Sequence, residues 1–290
     1  MATIVMTGST SGIGEGAAKL LVSDGHRVIA GARSGGVTPG AESLPLDLAD
    51  LASVRAFVAS CPDCIDALVL NAGMQVHTSK LRSADGFELT FATNHLAHYL
   101  LARLLLPRIA PGGRIILTSS GTHDPAEKTG IPAPRSANAR YLADPEVDPQ
   151  SEKSGMTAGL RAYSSSKLCN LMTARSLARH PEVVAEGITV HAFDPGFIPA
   201  TGLARSAPWV IRSLIMPVLA RLPLGKGTNT LKAGGQALAG LADGSIGGPD
   251  VYMALRGGEP TWPAPSVLAR DDAQCQQLWD ASAAMVGLLA

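Results

Sequence analysis

The chain has 290 residues, 24 basic and 24 acidic side chains, and therefore a formal net charge of zero. Hydrophobic residues make up 46% and charged residues 17% of the sequence, which supplies a large core and argues against disorder. A neutral chain without a Lys/Arg cluster lacks the electrostatic footprint of a nucleic-acid-binding protein.

The location of the protein is also predicted from what the sequence does not contain. No uncharged apolar run reaches the roughly 20 residues that a membrane span needs, and no basic-then-apolar signal segment opens the chain. The four cysteines complete no zinc-binding pattern. We therefore expect a cytoplasmic protein with no transmembrane span and no metal site.

Strand and helix patterns alternate from the first residues onward. Apolar, β-rich segments predict strands at residues 3–7, 27–32, 43–48, 65–70, 114–118 and 188–193. Helical patterns occupy residues 15–23, 50–60, 86–109 and 162–180. Strands that are apolar on both faces and separated by helices predict a single doubly wound parallel sheet, with helices on both faces, in one domain of residues 1–290.

Two segments interrupt this alternation. Residues 121–160 lose periodicity and are rich in Pro, Gly, Ser and Asp, which predicts an inserted loop. Residues 207–224 form an apolar stretch broken by prolines, which fits a mobile lid, at about 197–228, over a hydrophobic substrate. A helix packed on the core and an interfacial helix on a membrane are the alternatives for 207–224. Trp209, Ile215 and Met216 are the candidate lid contacts.

A glycine-rich turn, Thr-Gly-Ser-Thr-Ser-Gly-Ile-Gly at residues 7–14, separates the first strand from its helix. Glycines let a backbone approach a pyrophosphate closely, and a helix N-terminus offers free N–H groups. A tight strand–helix turn without a ligand is the alternative, but the position after the first strand favours a nucleotide site.

The end of the second strand discriminates between cofactors. An NAD-preferring site places Asp or Glu there to bind the ribose 2′-hydroxyl, whereas this chain has Arg33 and no carboxylate. A guanidinium suits the 2′-phosphate of NADP through forked, charge-assisted hydrogen bonds. An ordinary solvated arginine is the alternative. We expect NADP(H) as the cofactor, in preference to NAD(H).

Tyr163 and Lys167 lie four residues apart, and therefore on one face of the predicted helix 162–180. A nearby ammonium favours the phenolate and is expected to lower the pKa of Tyr163 towards the working pH of a general acid/base. This spacing also occurs by chance on surface helices, so its interpretation depends on the rest of the sequence.

Taken in order, these motifs resemble the short-chain dehydrogenase/reductase family, whose members have the Rossmann fold. The matching positions are 7–14, Asp47-Leu48, Asn71-Ala72-Gly73, Asn94, Ser120, Tyr163 with Lys167, and Pro195-Gly196. Residues 85–88, 94–99, 119–123 and 167–170, with Leu278-Trp279, look like the branch of retinol dehydrogenases and protochlorophyllide reductases.

The resemblance implies a role for each matching residue. Tyr163 would exchange a proton with the substrate oxygen, and Lys167 would lower its pKa and hold the nicotinamide ribose. Ser120 would hydrogen-bond the same oxygen, and Asn94 would help to keep a water molecule near Lys167. The implied cofactor contacts are Gly8, Ser11, Gly12, Ile13, Gly14, Arg33, Asp47, Leu48, Asn71, Ala72, Gly73, Tyr163, Lys167, Pro195, Gly196 and Thr201. Taken singly, Ser120 could cap a strand end, Asn94 could be a buried helix residue, and Asp47 could be a helix N-cap.

Two positions depart from the family pattern. Light-driven protochlorophyllide reductases carry Cys directly after the Pro-Gly turn, and Phe197 stands there in this chain. The family often places Thr five positions after the proline of that turn, to bind the nicotinamide carboxamide. Ala200 occupies that position, so Thr201 is the expected substitute.

The sequence therefore predicts an NADP(H)-dependent oxidoreductase (EC 1.1.1) that transfers a hydride between the nicotinamide and a carbonyl/alcohol group. Its partner would be a small-molecule substrate that is bulky or hydrophobic. Whether the chain forms a homo-oligomer is left open. Reduction of a conjugated C=C bond is one alternative, and a non-catalytic NADP(H)-sensing protein is another, although such sensors typically lack the Tyr/Lys pair. His95 and His98 are two candidate metal ligands without a third, so helix packing is the favoured interpretation.

Overall fold

The computed structural model describes residues 1–33, 36, 38–152, 154–199 and 228–289, and its centre is an eight-stranded sheet. The strand order is β3-β2-β1-β4-β5-β6-β7-β8; neighbours are parallel except for the antiparallel pair β7/β8. The predicted doubly wound parallel sheet is thus confirmed. The strands are β1 (Thr3–Thr7), β2 (Arg27–Ala32), β3 (Glu42–Pro45), β4 (Ile65–Leu70), β5 (Ile109–Thr118), β6 (Thr189–Asp194), β7 (Tyr252–Arg256) and β8 (Glu259–Thr261).

The helices of the described residues connect these strands. They are α1 (Gly12–Ser23), α2 (Leu51–Ser60), α3 (Leu89–Phe91), α4 (Ala97–Leu105), α5 (Ala139–Ala143), α6 (Gly155–Ala178), α7 (Pro181–Ala185), α8 (Leu231–Asp243) and α9 (Asp272–Met285). A π-helical segment, Ala92–Leu96, joins α3 to α4. No helix in the described ranges has the length and apolar character that crossing a bilayer requires.

Several element boundaries differ from the sequence-based prediction. The third strand ends at Pro45 instead of 48, while Leu46 and Leu48 are still buried beyond it. Segment 121–160 is not a plain loop, because it contains short helical turns and α5. Helix α6 begins at Gly155, seven residues before the predicted 162, because glycines and polar residues in its first turns conceal the apolar periodicity.

The core lies on both faces of the sheet, because successive strand residues point to opposite sides. Ile4 and Met6 pack towards α1 and α8, whereas Val5 packs towards α2, α4, α6 and α9. Helices α1 and α8 touch through glycines, since a Cβ on Gly235 would lie 3.2 Å from the carbonyl carbon of Gly16. Both faces are therefore covered, as an apolar parallel sheet requires.

The C-terminal helix α9 packs against the helix that leads from the π-helical segment. Within that contact, the Tyr99 hydroxyl donates to the Trp279 carbonyl oxygen at 3.0 Å, and the two rings meet edge-on with centroids 5.0 Å apart. His95 Nε2 and Ser282 Oγ are 2.9 Å apart, and both side chains are buried. Helix α9 thus supports the π-helical segment and α4.

Glu88 begins the broken helix α3–π–α4 and is fully buried. Its Oε2 accepts a hydrogen bond from the Phe91 N–H at 2.7 Å, as an N-cap does. Burial raises the pKa of the Glu88 carboxyl to about 7, although hydrogen bonds from Phe91 and Thr90 oppose the shift. The folded protein therefore binds a proton at Glu88 over a pH range in which the unfolded chain does not.

We predict that Glu88 makes the stability of the protein fall as pH rises from about 4.5 to about 7. Because the folded pKa is the higher one, its contribution is complete below the unfolded pKa and is lost as pH passes the folded pKa. A shift of this size corresponds to about 3 kcal/mol. Denaturant unfolding of Glu88→Gln across pH 4–8 should lack this component.

The matched control is Glu259→Gln, which changes an exposed carboxyl on β8. It should retain the pH dependence of the parent protein. Identical pH profiles for Glu88→Gln and the parent would contradict the proposed protonation of buried Glu88.

Candidate functional site

The glycine-rich turn between β1 and α1 lies against the backbone that follows β4. A Cβ on Gly8 would come within 2.7 Å of the Cα of Ala72, and one on Gly14 within 2.1 Å of the Gly8 carbonyl oxygen. Gly8 and Gly12 have φ values of +71° and +64°, in the left-handed region that favours glycine. A side chain is therefore excluded by lack of space at Gly8 and Gly14, and it is disfavoured by the backbone conformation at Gly8 and Gly12.

Helix α1 starts directly from this turn. Ser11 occupies its N-cap position with extended backbone, but the Ser11 side chain accepts no hydrogen bond from the first turn. Ile13 points into the core and is 9% exposed. The N-terminal N–H groups of α1 thus receive no side-chain cap from Ser11, which suits an anion at this helix end.

Thr7, the last residue of β1, connects the turn to the centre of the site. Its Oγ1 accepts hydrogen bonds from the N–H groups of Asn71 and Ala72, both at 3.0 Å. His98 Nδ1 donates to the Asn94 carbonyl oxygen at 2.9 Å, so the Thr7 hydroxyl donates to His98 Nε2 at 3.0 Å. Burial lowers the pKa of His98 to about 3, which agrees with this neutral imidazole.

The side chain of Asn71 links the ends of three strands. Its Nδ2 donates to the Gly8 carbonyl oxygen at 3.2 Å, and its Oδ1 accepts from the Thr118 hydroxyl at 3.2 Å. Gly73 follows, and a Cβ there would lie 3.3 Å from Lys167 Nζ. The predicted residues Asn71–Gly73 therefore lie between the glycine-rich turn and Lys167.

Tyr163 and Lys167 share one buried face of α6, with 5% and 3% exposure. Lys167 Nζ lies 5.8 Å from the centroid of the Tyr163 ring and donates to the Thr118 carbonyl oxygen at 3.0 Å. Ser120 is near enough to the Tyr163 phenol to lower its pKa by hydrogen bonding. The structure thus brings together three of the four predicted catalytic residues, around the end of β5.

The electrostatics of this pair differ from the sequence-based expectation. Burial raises the pKa of Tyr163 to about 12 and the Asp194 charge raises it further, while the hydrogen bond from Ser120 lowers it. Burial also lowers the pKa of Lys167 to about 8, against the effect of Asp194. The expected lowering of the Tyr163 pKa by Lys167 is therefore wrong for this structure, because desolvation of the phenolate is the larger effect.

Asn94, the fourth predicted catalytic residue, lies in the π-helical segment Ala92–Leu96 and is fully buried. Its Oδ1 accepts from the Met74 N–H at 2.8 Å, and its Nδ2 donates to the Met74 carbonyl oxygen at 2.9 Å and to Ser166 Oγ at 3.0 Å. Asn94 thereby joins the segment after Gly73 to α6. π-Helical turns of this kind occur frequently at functional sites.

The ends of β2 and β3 carry three further predicted cofactor contacts. Arg33 directly follows β2, is exposed, and has no hydrogen bond or ion pair with another described residue. Asp47 Oδ1 accepts from the Ala49 N–H at 3.0 Å, and Leu48 is 9% exposed. The N-cap of α2 is Asp50, so the alternative that Asp47 is a helix N-cap is wrong.

Pro195 and Gly196 form the turn after β6. Gly196 has a φ of +69°, and its N–H donates to Asp194 Oδ1 at 2.9 Å. Asn229 Nδ2 donates to the Pro195 carbonyl oxygen at 2.8 Å, and the following Phe197 is 49% exposed. The expected Thr201 contact and the lid residues 207–224, with Trp209, Ile215 and Met216, lie outside the described residues.

Four residues around the site were not assigned to it from the sequence. The sequence-based prediction interprets His98 as helix packing and gives no role to His123, Asp194 or Arg256. The two histidines lie in the family-like segments 94–99 and 119–123, so those motifs could have indicated them. Arg256 belongs to none of the motifs. It reaches the site only because β7 pairs with β6.

The comparisons with known proteins agree with this architecture. The family model for short chain dehydrogenases matches residues 2–130. A protochlorophyllide reductase of Chlamydomonas reinhardtii is 33% identical over 99% of this chain and 78% of its own length. Dehydrogenase/reductase SDR family member 13 of Bos taurus is 34% identical over 99% of this chain and 73% of its own.

Solved structures are similar over the same span. An uncharacterized protein from Mycobacterium paratuberculosis is 27% identical with a TM-score of 0.71, and the match covers 100% of this chain and 94% of that one. A blue fluorescent protein from a metagenomic library, in complex with NADPH, is 23% identical with a TM-score of 0.62, covering 89% and 97%. With its fold, its ordered motifs and relatives that match 99% of its length, the chain belongs to the short-chain dehydrogenase/reductase family.

Proposed function

We propose that the chain is an NADP(H)-dependent oxidoreductase that transfers a hydride between the nicotinamide and a carbonyl/alcohol group of a bulky or hydrophobic substrate. The observation that carries this proposal is the placement of Ser120 and Tyr163 together beside buried Lys167. A hydroxyl donor next to a phenol can both orient and protonate one substrate oxygen. Membership of the family supports the same reaction class.

The residues around the glycine-rich turn fit the dinucleotide. The turn excludes side chains at Gly8 and Gly14, and Gly73 leaves open the space beside Lys167 Nζ. Exposed Arg33 at the end of β2 suits the 2′-phosphate. The similar blue fluorescent protein was crystallised with NADPH, which is consistent with this assignment. We propose that the further cofactor contacts are Ser11, Gly12, Ile13, Asp47, Leu48, Asn71, Ala72, Pro195, Gly196 and Thr201.

The protonation states support reduction of a carbonyl at neutral pH. When bound, NADPH supplies a hydride to the carbonyl carbon. Tyr163, with its pKa raised to about 12, holds the proton that the substrate oxygen takes up. Ser120 donates a hydrogen bond to that oxygen. Lys167, with a pKa of about 8, is largely protonated at neutral pH. Its charge stabilises the phenolate that forms when Tyr163 gives up its proton.

The apolar stretch 207–224 and the exposed Phe197 support a hydrophobic substrate. Reduction of a conjugated C=C bond is the second candidate, because relatives with 31–33% identity are named protochlorophyllide reductases. Phe197, in place of the cysteine that follows the Pro-Gly turn of the light-driven enzymes, opposes the light-driven form of that reaction.

The single domain and the cytoplasmic location stay predictions from the sequence.

The direct test is NADPH consumption against a panel of aldehydes, ketones, quinones and enones graded by size and lipophilicity. Product analysis of the enones distinguishes the two candidates, since an allylic alcohol reports carbonyl reduction and a saturated ketone reports C=C reduction. NADPH binding without turnover of any compound would favour the sensing protein.

We predict that Tyr163→Phe reduces turnover by about 10³-fold or more, because general acid catalysis contributes about 10²–10⁴-fold and phenylalanine has no proton to donate. NADPH affinity, measured by fluorescence titration, should change little. Tyr141→Phe, which removes a phenol on α5, is the matched control and should retain activity. Full activity of Tyr163→Phe would contradict the proposed mechanism.

We predict that Arg33→Ala weakens NADPH binding by about 10–100-fold, the loss of one charge-assisted hydrogen-bonding group. NADH, which has no 2′-phosphate, should bind almost as before. Arg27→Ala, at the opposite end of β2 and paired with Glu42 in the parent, is the matched control. An equal loss for both cofactors in Arg33→Ala would show that Arg33 does not read the phosphate.

A further inference from the structure

A buried carboxylate, Asp194, lies at the end of β6 directly before the Pro195–Gly196 turn and is fully inaccessible to solvent. Its Oδ1 accepts from the Gly196 N–H at 2.9 Å, which fixes the turn. Its Oδ2 accepts from Arg256 Nη1 at 2.9 Å and from the Tyr252 hydroxyl at 3.1 Å. Burying an unpaired charge is very costly, and the Asp194 carboxylate avoids this cost through its three hydrogen-bond donors.

The cluster of Asp194, Tyr252 and Arg256 also contacts the segment of residues 119–127, which follows β5 and carries Ser120. A Cβ on Gly121 would lie 3.2 Å from Asp194 Oδ2, so this segment passes directly over the carboxylate. Arg256 Nη2 donates to Glu127 Oε1 at 2.8 Å, which ties the end of the segment to β7. Arg256 therefore joins two carboxylates, one buried at the sheet and one on the segment after Ser120.

His123 adds a second connection between Ser120 and the cluster. Its Nδ1 donates to the Ser120 carbonyl oxygen at 2.7 Å, and its Nε2 accepts from the Ser266 N–H at 3.4 Å. The His123 ring meets the Tyr252 ring edge-on, with centroids 5.2 Å apart. Through His123, the backbone of Ser120 is thus fixed relative to Tyr252, whose hydroxyl donates to Asp194.

Asp194 directly follows Phe193, which pairs with Thr118 across β5 and β6, and the Thr118 carbonyl oxygen accepts from Lys167 Nζ at 3.0 Å. The charge of Asp194 therefore lies close to the proposed catalytic pair. It raises the pKa of both Tyr163 and Lys167, against a larger effect of burial on Lys167. Arg256 compensates this charge, and its own pKa is raised by the carboxylates of Asp194 and Glu127 although burial opposes the shift. The titratable groups around the pair and the cluster are His98, His123, Glu127, Tyr163, Lys167, Asp194, Tyr252 and Arg256.

We propose that Asp194, held by Arg256, is a positioning residue that fixes Ser120 relative to the Pro195–Gly196 turn and supplies the negative charge beside Tyr163 and Lys167. The inference deepens the proposed function and rests on it for the role of Ser120. Its consequence is that the carbonyl-reducing activity depends on Arg256, although Arg256 is on β7 and none of the family motifs includes it.

The test is the pH dependence of kcat for NADPH-dependent reduction, measured with a ketone or aldehyde that the parent protein turns over. We expect the parent activity to fall as pH rises through about 8, where Lys167 loses its proton. Asp194→Asn removes the negative charge, so this limb should move to lower pH by about one unit. Arg256→Met leaves the carboxylate uncompensated, so the limb should move to higher pH.

The double variant Asp194→Asn/Arg256→Met tests whether Arg256 acts through Asp194. In that background, loss of Arg256 should cost much less stability than it does in the parent, because the buried carboxylate that Arg256 pairs with is absent. The double variant should also unfold at a higher temperature than Arg256→Met alone, whose buried carboxylate is unpaired. Asp272→Asn, which removes the charge that Asp272 of α9 contributes to its surface ion pairs with Arg175 and Arg179, is the matched control and should leave the pH profile unchanged.

A second readout needs neither substrate nor cofactor. The stability difference between the parent and Lys167→Met, followed from pH 7 to 10.5, reports the protonation of Lys167, because a lowered folded pKa makes stability rise with pH between about 8 and about 10.4. In the Asp194→Asn background this rise should begin at lower pH. An unmoved onset would overturn the inference even if the parent enzyme reduces carbonyls.

The two proposals therefore fail separately. No turnover of any carbonyl by the parent, with a shifted onset in the stability measurement, would contradict the proposed function and retain the charge coupling of Asp194 to Lys167. Turnover by the parent with equal pH limbs in all variants would retain the proposed function and overturn the role of Asp194.

Discussion

The burial of the Lys167 ammonium is the constraint on which the rest of the site depends. Taking a charge out of water is costly unless polar groups replace the solvent, and here the Thr118 carbonyl oxygen accepts from Nζ at 3.0 Å. Asn170 Nδ2 donates to the same oxygen at 3.0 Å, and Ser119 Oγ donates to the Lys167 carbonyl oxygen at 2.9 Å. The end of β5 is thereby held against α6, which brings Ser120 to Tyr163.

A hydrogen-bonded chain extends this arrangement to the glycine-rich turn. It passes from Asn94 through the neutral His98 ring to the Thr7 hydroxyl, and from there to the backbone after β4. The side chain of Asn94 continues in the other direction, to Met74 and Ser166 of α6. The proposed cofactor-binding and proton-transfer regions are therefore parts of one polar network inside an otherwise apolar core.

The sequence sufficed for six of the eight strands and for most of the candidate site, because apolar strand patterns and short motifs are local in the chain; β7 and β8 were not predicted. Apolar strands such as β1, β2 and β4 have the predicted bounds, and the Tyr163/Lys167 spacing places both side chains on one face of α6. The pKa of Tyr163 could not be predicted in this way, because it depends on how deeply α6 is buried by distant elements. Asp194 and Arg256 meet only through strand pairing, and no spacing in the sequence encodes that contact.

The support of the broken helix by α9 has a consequence for how the site forms. The contacts His95–Ser282 and Tyr99–Trp279 join residues that are 187 and 180 positions apart. Closing such long loops costs entropy before any contact stabilises them, and it slows folding. During synthesis, the segment that carries Asn94 leaves the ribosome long before its packing partner exists. The broken helix that carries Asn94 and His98 is therefore fully packed only when nearly the whole described chain is available.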